Sequence, residues 1–153
     1  MPPDQIKFGS HGKPTFDTEI RIVSLDDPTI VLQPGEAGEI TVRSPGVFKG
    51  YLNKPEATQA ALRDGWLHTG DIGMLDEEGY LYFMGRKKEM IKCSGYSVFP
   101  EEVEQMLIRH PAVSAAAVIG VPDPVRGESV KAFIVLNEGY EGTLTEEEII
   151  RWS

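Results

Sequence analysis

Asp71 is the side chain best placed to do specific chemistry in this 153-residue sequence. In Trp66-Leu67-His68-Thr69-Gly70-Asp71 it follows a glycine and precedes an apolar run, which places it in a tight turn just before a strand, its carboxylate held forward. Such a carboxylate can accept from two adjacent hydroxyls at once, as on a ribose. The plainer alternative is a turn former, because aspartate often closes a turn with its own side chain. Arg86 follows Gly85 and opens the densest basic cluster of the chain, with Lys87, Lys88 and Lys92. That patch suits the phosphates of a nucleotide or of coenzyme A, and it equally suits a solvated linker paired with Glu89, Glu101 and Glu102. Ser94-Gly95-Tyr96 either forms a turn or lets a backbone approach a thin ligand.

The elements that must position these residues are legible as patterns. TEIRIVSL, Thr18 to Leu25, and GEITVRS, Gly38 to Ser44, alternate apolar and polar positions as strands with one buried face do. Asp26, Asp27, Pro28, Pro34 and Gly35 supply turns between them, so the opening section reads as antiparallel β structure. Lys54 to Leu62 reads as a short helix with Pro55 in its first turn, stopping at Asp64-Gly65. The apolar runs Ile72 to Leu75 and Tyr80 to Met84 flank Asp76-Glu77-Glu78-Gly79 and predict a hairpin. The charged run after Gly85 breaks the pattern as a linker does, which divides the chain into 1–85 and 86–153. Beyond it, Pro100 to His110 reads as a helix with Val103, Met106 and Leu107 on one face. Val113 to Val121 and Ser129 to Leu136 read as strands joined through Pro122-Asp123-Pro124 and Arg126-Gly127. Thr145 to Glu148 is a capping box, and Ile149 and Trp152 begin an apolar face behind it. A helix that starts so strongly and runs so briefly reads as one cut short, the plainer reading being a short helix docked by Trp152.

Composition narrows the class. The net charge of −9 repels a phosphate backbone, so nucleic acid is not an expected partner. Cys93 is the only cysteine, which excludes an internal disulfide and a multi-cysteine zinc site and fits a cytoplasmic protein. No run approaches the ~20 apolar residues of a membrane span, and Met1 to Ser10 lacks the apolar centre of an export signal.

The segment DGWLHTGDIGMLDEEGYLYFMGRKKEMIKCSGYSVFPEEVE, Asp64 to Glu104, resembles the signature region of the adenylate-forming superfamily, and GEITVRSPGVFKGYLNKPEATQAA and His110 to Phe133 extend the likeness. Acyl-CoA synthetases, beetle luciferases and peptide-synthetase adenylation domains make up that superfamily. The resemblance implies an α+β fold: the β-rich end of a large amino-terminal domain, a distorted antiparallel barrel subdomain, then a small α+β carboxyl-terminal domain, both incomplete. It implies a ligase that joins a carboxylate to the α-phosphate of ATP, releases pyrophosphate, and passes the acyl group from AMP to the thiol of coenzyme A. Asp71 then falls on the aspartate that binds the ribose hydroxyls and Arg86 on the arginine beside it. Lys88 falls on the hinge about which the small domain rotates, where many relatives carry aspartate. Lys92 falls on the lysine that enters the site for thioester formation, and Gly95, flanked by Ser94 and Tyr96, on the glycine beside the pantetheine tunnel.

Local similarity implies a medium- or long-chain fatty acid as the acyl substrate. The superfamily's phosphate loop, its magnesium-linked glutamate and its final catalytic lysine have no counterpart in these residues. The chain alone is therefore expected to be inactive, with magnesium held in the full enzyme by ligands elsewhere and the missing amino-terminal domain as packing partner. Alternatives are a stand-alone module of this fold that binds AMP or coenzyme A, and a fragment of a peptide-synthetase-type adenylation domain.

Overall fold

A computed structural model of the chain describes residues 6–140, 142 and 144–152. The first five residues of the stretch read as lacking an export signal, 1–5, lie outside them. The chain forms two compact units, Met1–Lys87 and Lys88–Ser153. Arg86 and Lys87 fall with the first unit, Arg86 in register with Asp71 across β4 and β5.

The first unit is an antiparallel sheet. Strands β1 (Glu19–Val23), β2 (Gly38–Arg43) and β4 (Trp66–Leu75) lie side by side, and β4 also pairs with β3 (Leu62–Arg63) and β5 (Leu81–Arg86). Ile22 and Ile40, paired across β1 and β2, are buried on one face, and Ile72, opposite Glu39 in the ladder, is completely buried on the other. The helix α1 (Pro55–Ala61) begins on its proline and ends where β3 starts, one residue pair before the turn at Asp64-Gly65. β4 and β5 are joined through Asp76, whose carboxylate accepts the amides of Glu78 (3.0 Å) and Tyr80 (2.9 Å). Lys7 reaches the same carboxylate at 2.7 Å.

The second unit is an antiparallel four-stranded sheet in the order β7 (Tyr96–Val98), β6 (Ile91–Cys93), β9 (Gly127–Leu136), β8 (Val113–Asp123). The helix α2 (Pro100–Ile108) packs on β8, and Ile91, Leu107 and Val118 form the core with Val98, Val103, Ala116, Ile134 and Ile149 against it. Glu104 of α2 accepts the amide of Val118 at 2.8 Å, tying helix to strand. The capping box forms: Glu148 accepts the Thr145 amide at 2.8 Å and the Thr145 hydroxyl accepts the Glu148 amide at 3.3 Å, opening α3 (Glu146–Trp152). Trp152 docks that helix, donating its indole N–H to the Met106 carbonyl at 3.2 Å with its ring edge-on to His110. The fold is α+β and dominated by sheet. Among the described residues no helix is long and apolar enough to cross a membrane.

Candidate nucleotide and thiol-carrier sites

Asp71 stands inside β4, not in a turn ahead of it. Between the pairs Thr41↔His68 and Glu39↔Ile72, β4 spends more residues than β2, so Thr69-Gly70-Asp71 bulges from the ladder. Gly70 makes the bulge possible with φ of 73°, a conformation that a Cβ disfavours. The Thr69 hydroxyl closes it, donating to the Ile40 carbonyl at 2.8 Å and accepting the Asp71 amide at 3.0 Å. The carboxylate of Asp71 is thereby released from turn duty. Its Oδ1 is shielded from solvent and accepts no hydrogen bond, although Arg86 Nη1 lies 2.9 Å away in an ion-pair contact across the β4–β5 ladder. Asp76 and Asp123 show the contrast, each spending its carboxylate on loop amides.

Behind the bulge lies a residue that sequence reading passed over. Glu39 is buried, accepts the Gly70 amide at 3.2 Å, and sits 3.1 Å from Lys87 Nζ and 3.5 Å from His68 Nδ1. Burial works against its ionisation, but the Lys87 ammonium and the His68 ring outweigh it and hold the carboxyl below its ordinary value. No local signal marks it, because alternation along β2 assigns Glu39 to solvent with Thr41 and Arg43. Both faces of β2 are in fact covered there, since Thr41 on the same face is buried too.

The basic cluster thus divides. Arg86 and Lys87 are paired within the first unit, with Asp71 and Glu39. Lys88 is mostly exposed, with only a loose contact of 4.0 Å to Glu89, and neither Glu101 nor Glu102 forms an ion pair among the described residues. Lys92 is exposed on β6, its backbone amide held by Glu128 at 2.8 Å. Ser94 and Gly95, at φ 51° and 86°, are the two central residues of the β6–β7 hairpin, a left-handed pair that matches strand twist. No atom stands within 4 Å of where a Gly95 side chain would begin, so the space above the turn is open. Tyr96 next to it is 76% exposed. Of the residues singled out from sequence, Asp71 and Arg86 meet in the first unit, while Lys92, Ser94, Gly95 and Tyr96 share one hairpin of the second.

The sequence profile of the AMP-binding enzymes matches residues 1–52, and that of the AMP-binding enzyme C-terminal domain matches residues 102–153. This chain belongs to the AMP-binding enzyme family. It is 50% identical over 92% of its length to a long-chain-fatty-acid–CoA ligase of Bacillus subtilis and 44% identical over 95% to a 2-succinylbenzoate–CoA ligase of Bacillus mycoides. Against these AMP-binding enzymes it spans 25% and 29% of their lengths. A solved o-succinylbenzoate CoA synthetase of Bacillus subtilis, in complex with its acyl-adenylate intermediate, superposes with a TM-score of 0.85 at 40% identity, covering 95% of this chain and 29% of that one. Among the described residues no group of three or more His, Cys, Asp or Glu side chains is placed to hold a metal ion.

Proposed function

We propose that this chain is the carboxyl-terminal part of an AMP-forming acyl-CoA ligase and supplies its ribose contact and its thioester-forming hairpin. In the complete reaction a carboxylate oxygen attacks the α-phosphorus of ATP and pyrophosphate leaves. The thiol of coenzyme A then attacks the acyl carbon, AMP leaves, and the thiol proton passes to solvent. Asp71 accepts both ribose hydroxyls, and Arg86 holds that carboxylate in place. Lys88 serves as the hinge between residues 1–85, the last subdomain of the large domain, and residues 86–153, the small domain. Lys92 acts in the second step, with Ser94, Gly95 and Tyr96 along the pantetheine arm.

The observation that carries the reading is the unspent carboxylate of Asp71. A turn former would bond its own loop, as Asp76 does, whereas Asp71 leaves that to Thr69 and keeps a solvent-shielded oxygen beside the Arg86 guanidinium at 2.9 Å. A carboxylate not spent on its own loop can accept from ribose hydroxyls. The open space over Gly95 supports the passage of a narrow chain such as pantetheine. A fatty acyl substrate is favoured by the 50% identity to the long-chain enzyme over the 44% to the 2-succinylbenzoate enzyme. The lone cysteine supports the cytoplasm, and the spans of 25% and 29% support a requirement for the rest of the enzyme before any turnover.

Calorimetric titration with a non-hydrolysable acyl-adenylate tests the ribose assignment. Heat of binding in the unaltered chain that disappears in Asp71→Ala is the expected outcome, and equal binding by both proteins would contradict it.

A further inference from the structure

The first unit buries a carboxylate that touches neither of the groups assigned to the nucleotide. The Glu39 side chain is 8% exposed, and its two oxygens are divided between two places: Oε1 takes the amide of Gly70, in the bulge that presents Asp71, and Oε2 faces Lys87 Nζ and His68 Nδ1. A carboxylate inside a sheet costs several kcal/mol unless such partners satisfy it, so the four groups are stable only as a set. An apolar side chain would fill the same space without that demand. What the charge adds is direction, since it fixes one backbone amide of the bulge and the last residue of the first unit to the same point.

We infer that Glu39 is a positioning residue that clamps the Thr69–Asp71 bulge and Lys87 together, so that Asp71 is aimed at the ribose and chain rotation begins no earlier than Lys88. This rests on the nucleotide reading of Asp71 and the hinge reading of Lys88. Glu39 acts through Gly70 and Lys87 and touches no substrate itself.

Three variants separate the parts. Glu39→Met removes both contacts, Glu39→Gln keeps an acceptor for the Gly70 amide but removes the charge facing Lys87, and Asp71→Ala removes the ribose contact together with the Arg86 ion pair while leaving Glu39 intact. Two readouts are taken on the full 153-residue chain: hydrogen-exchange protection of the Gly70 amide, and affinity for the non-hydrolysable acyl-adenylate. In Glu39→Met, Gly70 protection is expected to fall about tenfold, the size of one lost charge-assisted hydrogen bond, and affinity to fall with it. In Glu39→Gln, protection is expected to return to within about threefold of the original, a rescue that mere loss of packing would not show. Unchanged Gly70 protection in Glu39→Met would overturn the clamp whatever the ligand data. Lost protection with unaltered affinity, while Asp71→Ala abolishes binding, would overturn the positioning role. If instead Asp71→Ala leaves affinity unaltered, the nucleotide reading has failed, and the clamp stands or falls on Gly70 protection alone. If Glu39→Met does not fold, Glu39→Gln with Lys87→Met decides: both keep the Gly70 acceptor, and Gly70 protection lost in Glu39→Gln would overturn the clamp.

Discussion

The two units hold their candidate residues in opposite ways. In the first, Asp71 pairs with Arg86 and Glu39 with Lys87 and His68 at 2.9–3.5 Å, and both carboxylates are largely withdrawn from water. In the second, Lys92 and Tyr96 stand exposed beside a two-residue turn, and their side chains form no ion pair or hydrogen bond among the described residues. The first arrangement is built in advance, as the proposed recognition of a rigid nucleoside requires; the second presents exposed groups to solvent. A buried charge such as Glu39 is costly to strip of its partners, whereas an exposed group such as Lys92 is cheap to remove from the fold.

That contrast can be broken in several places. The largest effect is expected in the cores: Ile72→Ala in the first unit and Leu107→Ala in the second should each cost about 2–5 kcal/mol, read by denaturant unfolding with probes in each unit. A cost below about 1 kcal/mol at either would show that the side chain is not the packing centre its burial indicates. Asp71→Ala comes next, with a loss of about 10- to 100-fold in nucleotide-analogue affinity and little change in stability; Asp76→Asn should do the reverse, loosening its loop while leaving affinity intact. Gly95→Ala should destabilise the second unit by about 1 kcal/mol through its positive φ, which thermal unfolding would register. Lys92→Ala should change stability by less than about 0.5 kcal/mol, and a larger loss would mean that the exposed hairpin is structural after all.

The smallest effect concerns acid. Asp76 is held down to about 2, first by the Lys7 ammonium, and Asp123 to about 2, first by the Ser129 hydroxyl. Because both fold with carboxyls below the ordinary 3.8, their contribution is complete above that pH and is lost as pH falls through about 2. Asp76→Asn and Asp123→Asn should each flatten the acid limb of stability against pH, a difference that circular dichroism between pH 2 and 5 would record. An unaltered limb in both would show that these loops do not link to protonation.

Much of this frame was readable from residue types because the elements are locally consistent. Alternation located β1 and β2, the apolar runs on either side of the Pro122-to-Gly127 turn located β8 and β9, the Asp76-to-Gly79 loop located the β4–β5 hairpin, and the Thr145–Glu148 cap located α3. The strands β3, β6 and β7 escaped because two or three residues give no period, and Lys92 and Ser97 interrupt what little there is. Asp71 was readable as a candidate but misplaced, since nothing local distinguishes a bulge inside a strand from a turn ahead of it. Glu39 was not readable at all. Its role depends on His68 and Lys87, both far along the chain, and alternation is blind to a strand covered on both faces.

The most direct test of the contrast is a pair of amide-resolved NMR titrations of the chain, one with AMP and one with coenzyme A. The account predicts that AMP shifts Thr69, Gly70, Asp71 and Arg86 while leaving Lys92 to Tyr96 in place, and that coenzyme A does the opposite. Perturbation of the Ser94–Gly95 turn by AMP alone, or of neither region by either ligand, would contradict it.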